Sequence, residues 1–283
     1  MKNLTLLLTM LITVSATFTQ AQATENRIIS AGSSITELLV ALGAKDQLVA
    51  IDLTSKHFNT EGDLPVVGYH RRLSPEGLMA LSPTHLIGSH EMGPETTLSL
   101  LKSGGVSVET VAAGDTEQDL FSRIDAIAKI TGTQTKAEEL KSDLKTKLDS
   151  MAKRDIDRAP KVVFALLSKG RPATIAGNKT TIDVIIDLAG GFNPAKTELD
   201  SYKPLSQEAI VEMQPEYILV SHRDWNKLGG KKGIMQEYPL LVATPAAANN
   251  HIIPVNGSAI VGGLGIESLE LADDLYQTFS QAN

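Results

Sequence analysis

The sequence predicts an α/β protein of two similar lobes joined by one long helix, and three observations predict it. Short β-branched runs alternate with stretches of helical period, punctuated by turn residues, which is the pattern of strands layered against helices. The chain repeats part of itself at a fixed offset. A single charged stretch, residues 133–158, separates the two copies. With 283 residues, 42% apolar and 21% charged, there is material for two domains of ordinary size, each with its own core.

Residues 1–23 read as a separate object. Lys2 supplies a charged start, residues 4–14 an apolar core, and Ala21-Gln22-Ala23 a small-x-small cleavage site, as in a secretory signal. The apolar run falls short of the roughly 20 residues a membrane span needs. A soluble, monomeric mature chain beginning at Thr24, without membrane insertion, is therefore expected. The absence of cysteine excludes disulfide frameworks, thiolate metal sites, thiol nucleophiles and a lipid anchor on an N-terminal cysteine. Losing the signal removes Lys2 and no acid, so the formal charge moves from −7 to −8 (−7 − 1), with no basic block along the chain. Nucleic acid is not an expected partner.

In the mature chain the strand-like runs include Val49-Ala50-Ile51, His85-Leu86-Ile87, Val162-Val163-Phe164-Ala165, Tyr217-Ile218-Leu219-Val220 and Ile252-Ile253-Pro254-Val255. The clearest helix follows the signal: Ser34 is placed to cap it and Glu37 to close a capping box, while Ile35, Leu38, Leu39 and Leu42 form one apolar face ended by Gly43.

Sliding the chain against itself by 132 positions lays Leu73-Ser74-Pro75-Glu76 on Leu205-Ser206-Gln207-Glu208, Pro83 on Pro215, and Ser89-His90 on Ser221-His222. A second match, offset by 145 to 147, lays Ala31-Gly32 on Ala176-Gly177 and the first helix on one carrying Ile182, Ile185 and Ile186. The predicted organisation is a lobe over 24–132, a connecting helix over 133–158 and a second lobe over 159–283. The connector's apolar stripe is Ala137, Leu140, Leu144, Leu148 and Met151; about 20 helical residues span about 30 Å, the width of a small domain.

Two lobes on a stiff connector suit a ligand held between them. Ligands of open α/β sheets sit beyond the carboxyl ends of the strands, so loops 68–73, 88–93, 168–172, 201–205 and 221–225 are expected to line the cleft. No Gly-x-Ser-x-Gly elbow, phosphate loop or close acid pair is present, and Ser89-His90 and Ser221-His222, being adjacent, are badly placed as nucleophile and base. No catalytic residues are expected, and no His-x-Glu-x-His cluster suggests a bare-zinc site.

The segment Ile29-Ser30-Ala31-Gly32-Ser33-Ser34-Ile35-Thr36-Glu37, the paired Leu-Ser-x-Glu segments and the helix from about Thr135 resemble the periplasmic binding proteins of the class with one connecting helix. That class has two Rossmann-like lobes and serves importers of vitamin B12, ferric siderophores and haem. Within it, Val67-Gly68-Tyr69-His70-Arg71-Arg72-Leu73-Ser74-Pro75-Glu76-Gly77 resembles the haem-binding branch, with its Gly-Tyr-x-Arg-x-Leu-Ser-x-Glu-Gly pattern. The resemblance implies that Tyr69 ligates the iron of ferric haem b through its phenolate, a hard anionic donor suited to Fe(III). It implies that Glu76 and Glu208 meet the permease subunits of an inner-membrane ABC transporter.

Arg71 and Arg72 could bind a propionate or stabilise the phenolate. Lys169, Arg171, Tyr202 and Lys203 are the second lobe's candidates for contacting haem. Some relatives add a histidine from the loop after the second lobe's first strand, but here that loop reads Leu167-Ser168-Lys169-Gly170-Arg171. His70, His90 and His222 remain as possible ligands. A ferric-siderophore or cobalamin carrier of the same architecture is the alternative, though five tyrosines, six phenylalanines and one tryptophan furnish an aromatic cobalamin cleft poorly.

Overall fold

The first strand forms because Ile28, Ile29, Ser30 and Ala31 are all buried, the mark of a strand covered on both faces. The computed structural model describes residues 25–154 and 158–281; the expected signal segment lies outside them, as do residues 155–157. In the first lobe, β1 (Ile28–Ala31), α1 (Ser33–Ala41), β2 (Leu48–Ile51), α2 (Pro75–Met79), β3 (His85–Gly88), α3 (Glu95–Ser103), β4 (Ser107–Thr110) and α4 (Glu117–Thr131) follow one another. Their strands make a parallel sheet of order β2-β1-β3-β4.

After the helix α5 (Gln134–Met151) come β5 (Val162–Leu166), β6 (Ala173–Ala176), α6 (Thr181–Leu188), β7 (Tyr202–Leu205), α7 (Gln207–Glu212), β8 (Tyr217–Ser221), α8 (His222–Leu228), α9 (Gly230–Glu237), α10 (Pro245–Ala248), β9 (Ile252–Val255) and α11 (Ile266–Gln281). This sheet runs β7-β6-β5-β8-β9 and is mixed: β5, β8 and β9 are parallel, whereas β6 and β7 pair antiparallel. The repeat is therefore real in sequence order but not strand for strand. The offset of 132 carries α2 and β3 onto α7 and β8, whereas β6, which precedes α6 as β1 precedes α1, sits antiparallel beside β5 at the place β2 holds beside β1. Residues 201–205, expected as a loop, are mostly the edge strand β7, where Pro204 is tolerated. Residues 222–225 of another expected loop begin α8, with the Ser221 hydroxyl accepting from the Asp224 N–H at 3.1 Å.

The connector α5 is shorter than the 26 positions spanned by 133–158: it holds 18 residues and ends at Met151. Ala137, Leu144, Leu148 and Met151 are buried and Leu140 packs beside them, as the stripe predicts. The helix ties into both lobes. Lys141 reaches Asp125 on α4 at 2.6 Å, while Lys147 reaches Asp273 on α11 at 2.7 Å. The apolar residues under it form one core containing Ile28, Leu38 and Ile124 of the first lobe together with Phe164, Ile185 and Leu219 of the second.

The capping box expected at α1 does not form. Gly32 is the N-cap, without a side-chain cap, and the Ser34 hydroxyl instead donates to the carbonyl of Gly262 at 3.0 Å. Glu37 turns to the other lobe, where its carboxylate accepts from the N–H groups of Ile266, at 2.9 Å, and Glu267. It thus caps the N-terminus of α11, an orphan-donor site that favours an acid. Arg123, wholly buried, completes the seam by donating to the carbonyls of Ala112 at 2.8 Å, Gly262 at 3.1 Å and Leu264.

Burial pushes the Glu37 carboxyl up to about 7 from 4.5, against the pull of the two backbone N–H donors. Between those values the folded chain keeps a proton that the unfolded chain has released, so this group's contribution to stability falls as pH rises through that window and is level above it. The loss is on the order of 3 kcal/mol. Urea midpoints from pH 5 to pH 8 should decline in the native protein and be flatter in Glu37→Gln; equal pH slopes would refute the account.

Candidate functional site: the interlobe cleft

The first-lobe wall of the cleft is built at the carboxyl end of its sheet. Val66 extends β2's edge by a parallel bridge to Ile51, with the Ile51 N–H donating to Pro65 and the Val67 N–H to Ile51. Gly68 then turns the chain with φ +91°, a value that favours glycine, and its carbonyl accepts from the Leu53 N–H at 2.7 Å. Tyr69 follows in extended backbone and begins a short turn closed by the Arg72 N–H on the Tyr69 carbonyl at 2.7 Å. The loop after β3 clasps this turn: the Gly93 N–H donates to His70 at 3.0 Å, and the Leu73 N–H to Gly93 at 2.8 Å. Tyr69, Leu53 and Val66 are left 38%, 47% and 38% exposed, an apolar and aromatic surface on the wall.

Beneath Tyr69 lies a charged set. His70 is 2% exposed. One ring nitrogen, Nδ1, stands 2.8 Å from Asp52 Oδ2 and the other, Nε2, 3.8 Å from Glu91 Oε2. Burial works to raise the Asp52 carboxyl, but hydrogen bonds from His70, Ser55 and Thr54 hold it below its usual value. His70 is thereby committed away from the cleft, which removes it as an iron ligand; His90 and His222 are exposed. Arg71 is half-exposed and paired with Glu91. Arg72 is exposed, with no carboxylate partner among the described residues.

The second lobe answers with Tyr202. Its ring packs on the shared core, and burial, together with the negative charges of Asp115 and Glu91, pushes its phenol up to about 12. Both acids belong to the first lobe, so Tyr202 lies on the side of its lobe that faces the first. Lys203 is the next residue along β7 and, strands alternating faces, points to the opposite side, where Asp200 is the acid near it. Tyr202 and Lys203, expected from the sequence to act together, therefore lie on opposite faces of β7. Lys169 and Arg171 sit exposed on a turn fixed by its backbone: the Tyr238 hydroxyl accepts from the Ser168 N–H at 3.0 Å and donates to the Ser168 and Arg171 carbonyls at 2.8 and 3.0 Å. Neither cation has a carboxylate partner among the described residues.

A family model described as periplasmic binding protein matches residues 28–257. The chain belongs to that family. The fold is similar to that of the periplasmic haem binding protein HutB of Vibrio cholerae, with 47% identity, 90% of this chain and 99% of that one covered, and a TM-score of 0.85. It is also similar to a periplasmic haem binding protein from Pseudomonas aeruginosa, with 32% identity, 91% and 93% covered, and a TM-score of 0.84. By sequence, the vitamin B12-binding protein of Vibrio parahaemolyticus is 24% identical over 245 residues, 87% of this chain and 86% of that protein. Members of the family are binding proteins rather than enzymes.

In this periplasmic binding protein the two repeated acids occupy matching but unequal places. Glu76 lies in the first turn of α2, where its own backbone N–H and the Ser74 hydroxyl, donating at 2.9 Å, hold its carboxyl below the usual value. Glu208 lies in the first turn of α7, where Ser206 instead accepts from the Ala209 N–H at 3.2 Å. Both acids are exposed.

Sequence reasoning missed Asp52, Glu91 and Asp115. Glu91 carried a signal, since it stands in a loop expected at the cleft beside an expected basic pair. Asp52 and Asp115 carried none, each being a lone acid in a turn. The cleft loop after β3 also requires Gly88, where a Cβ would lie 2.3 Å from Met92 Sδ and 2.8 Å from the Ala31 carbonyl oxygen. Gly88→Ala should therefore cost about 1 to 3 kcal/mol of stability, read from chemical denaturation; an unchanged midpoint would contradict that packing.

Proposed function

We propose that this protein captures ferric haem b in the interlobe cleft and delivers it to an inner-membrane ABC transporter. The observation that carries the reading is Tyr69, presented on the cleft wall by the Gly-Tyr-x-Arg turn with Arg71 beside it and exposed Leu53 and Val66 around it. Likeness to two haem-binding proteins across nearly the whole chain supports it. Tyr69 is the iron's axial ligand in this reading. Burial of the porphyrin faces against apolar side chains supplies much of the affinity, at about 25 cal/mol per Å². Arg71, Arg72, Lys169 and Arg171 are the cations available to propionates, and Tyr202, kept neutral by its buried setting, contributes a ring and a hydroxyl rather than a second phenolate. Lys203 takes a rim position at most.

The chain acts in the periplasm after cleavage near Ala23, and Glu76 and Glu208 offer one docking acid per lobe to the permease subunits. Rim charges of this kind steer encounter and fix register more than they add affinity. Domain limits of 24–132, 133–158 and 159–283 complete the reading, with helix α5 as the connector proper.

The curated relatives named for vitamin B12 favour a cobalamin carrier of the same build as the second reading. Titration separates the two. The native protein should bind ferric haem with a tyrosinate-type absorption spectrum and Tyr69→Phe should lose it; saturable binding of cobalamin without that spectrum would replace haem as the ligand. In cells using haem as the iron source, Glu76→Ala with Glu208→Ala should bind haem as the native protein does while uptake falls roughly 10-fold or more, the scale of a few charge-assisted contacts. Unaltered uptake would remove the docking role.

A further inference from the structure

A three-residue turn preceded by glycine has little of its own to hold Tyr69 in one direction, yet an iron-ligating oxygen has to be held within about 0.5 Å by side chains that are themselves locked. The structure supplies such a lock directly beneath the tyrosine. The ring of His70 packs against that of Tyr69 with centroids 4.4 Å apart and planes tilted by 54°, and its Nδ1 meets the fully buried Asp52 at 2.8 Å. Asp52 in turn accepts from the Ser55 hydroxyl at 2.7 Å and the Thr54 hydroxyl at 2.9 Å. Ser55 accepts from the Thr36 hydroxyl on α1 at 2.7 Å, and Thr36 pairs with Ser30 of β1 at 2.7 Å. Every member of the line Ser30, Thr36, Ser55, Asp52 and His70 is buried. It runs from the central strand of the lobe to the underside of the tyrosine.

We infer that His70 and Asp52 are positioning residues for haem: a buried strut that sets the direction of the Tyr69 phenol and thereby the lifetime of the iron bond. The inference rests on the reading of Tyr69 as the ligand. Strand β1 is the fixed end, because it is flanked by β2 and β3 in the sheet. His70 is the moving end, and its backbone is clasped as well by the Gly93 N–H. Thr54 and Ser55 continue to satisfy Asp52 when the imidazole is removed, so the lobe keeps its fold while the tyrosine loses its backing. A histidine serving only to fill the core would leave haem release untouched.

The test uses the mature chain loaded with ferric haem, comparing native protein, His70→Leu, His70→Asn and Tyr69→Phe. Transfer of haem to excess apomyoglobin gives the release rate, and absorption and electron paramagnetic resonance spectra report the tyrosinate bond. His70→Leu should release haem roughly 10- to 100-fold faster, the range expected when a reacting group is displaced by about 1 Å, with a weakened and broadened tyrosinate signature. His70→Asn, whose side-chain N–H can take the place of Nδ1 toward Asp52, should recover most of both. Native-like release and spectrum in His70→Leu would overturn the inference, as would an asparagine variant no better than the leucine one. Should His70→Leu not fold, Asp52→Ala, which leaves the imidazole Nδ1 without its acceptor, carries the test, with faster release expected and a native rate refuting the strut. Loss of the tyrosinate spectrum from the native protein would instead sink the Tyr69 reading itself.

Discussion

The carboxylate of Glu37, carried by the first lobe, sits on the N-terminal amides of α11 in the second. A helix N-terminus left bare in a buried seam would strand its N–H groups, and an acid buried without donors would be equally costly; each cures the other. Arg123 does the same for three carbonyls spread over both lobes, and α5 lays a shared apolar floor beneath them. The cleft owes its shape to this fastening, because the two lobes that carry its walls share a core beneath α5.

The walls are chemically unequal. The first presents an exposed phenol on a turn backed by acids and a histidine, while the second presents a half-buried neutral phenol and a turn bearing two cations without carboxylate partners among the described residues. The proposed ligand has the same polarity, a hard cationic metal at its centre and carboxylates at one edge, so the two walls divide the recognition between them. In this reading the duplication explains the architecture, and departures from it explain the specificity.

Most of the fold was legible because its strongest signals are physical necessities. Strands such as Val162–Leu166 and Tyr217–Ser221 are almost wholly apolar because both faces are covered, and the stripe along α5 has the period of the surface it covers. The edge strand β7 was not anticipated, since a mostly exposed strand carrying Lys203 and Pro204 needs no apolar run. Glu37 was misread for a different reason. Its spacing from Ser34 fits a local capping box, and nothing nearby in sequence says that its partners lie 229 and 230 residues away. Tyr69 and Arg71 became candidates because a local pattern surrounds them, whereas Asp52 and Glu91 lie 18 and 20 positions from the side chains they hold. Only the fold brings them together.

The shared core has a further consequence for traffic. If the shared core resists closure of the lobes, the proposed carrier would offer much the same outline loaded or vacant, with Glu76 and Glu208 at a similar separation in both conditions. With docking as proposed, vacant carriers compete with loaded ones for the same landing site. Net import then depends on how quickly the transporter rejects an empty visitor, and an excess of carrier over cargo would slow uptake instead of raising it.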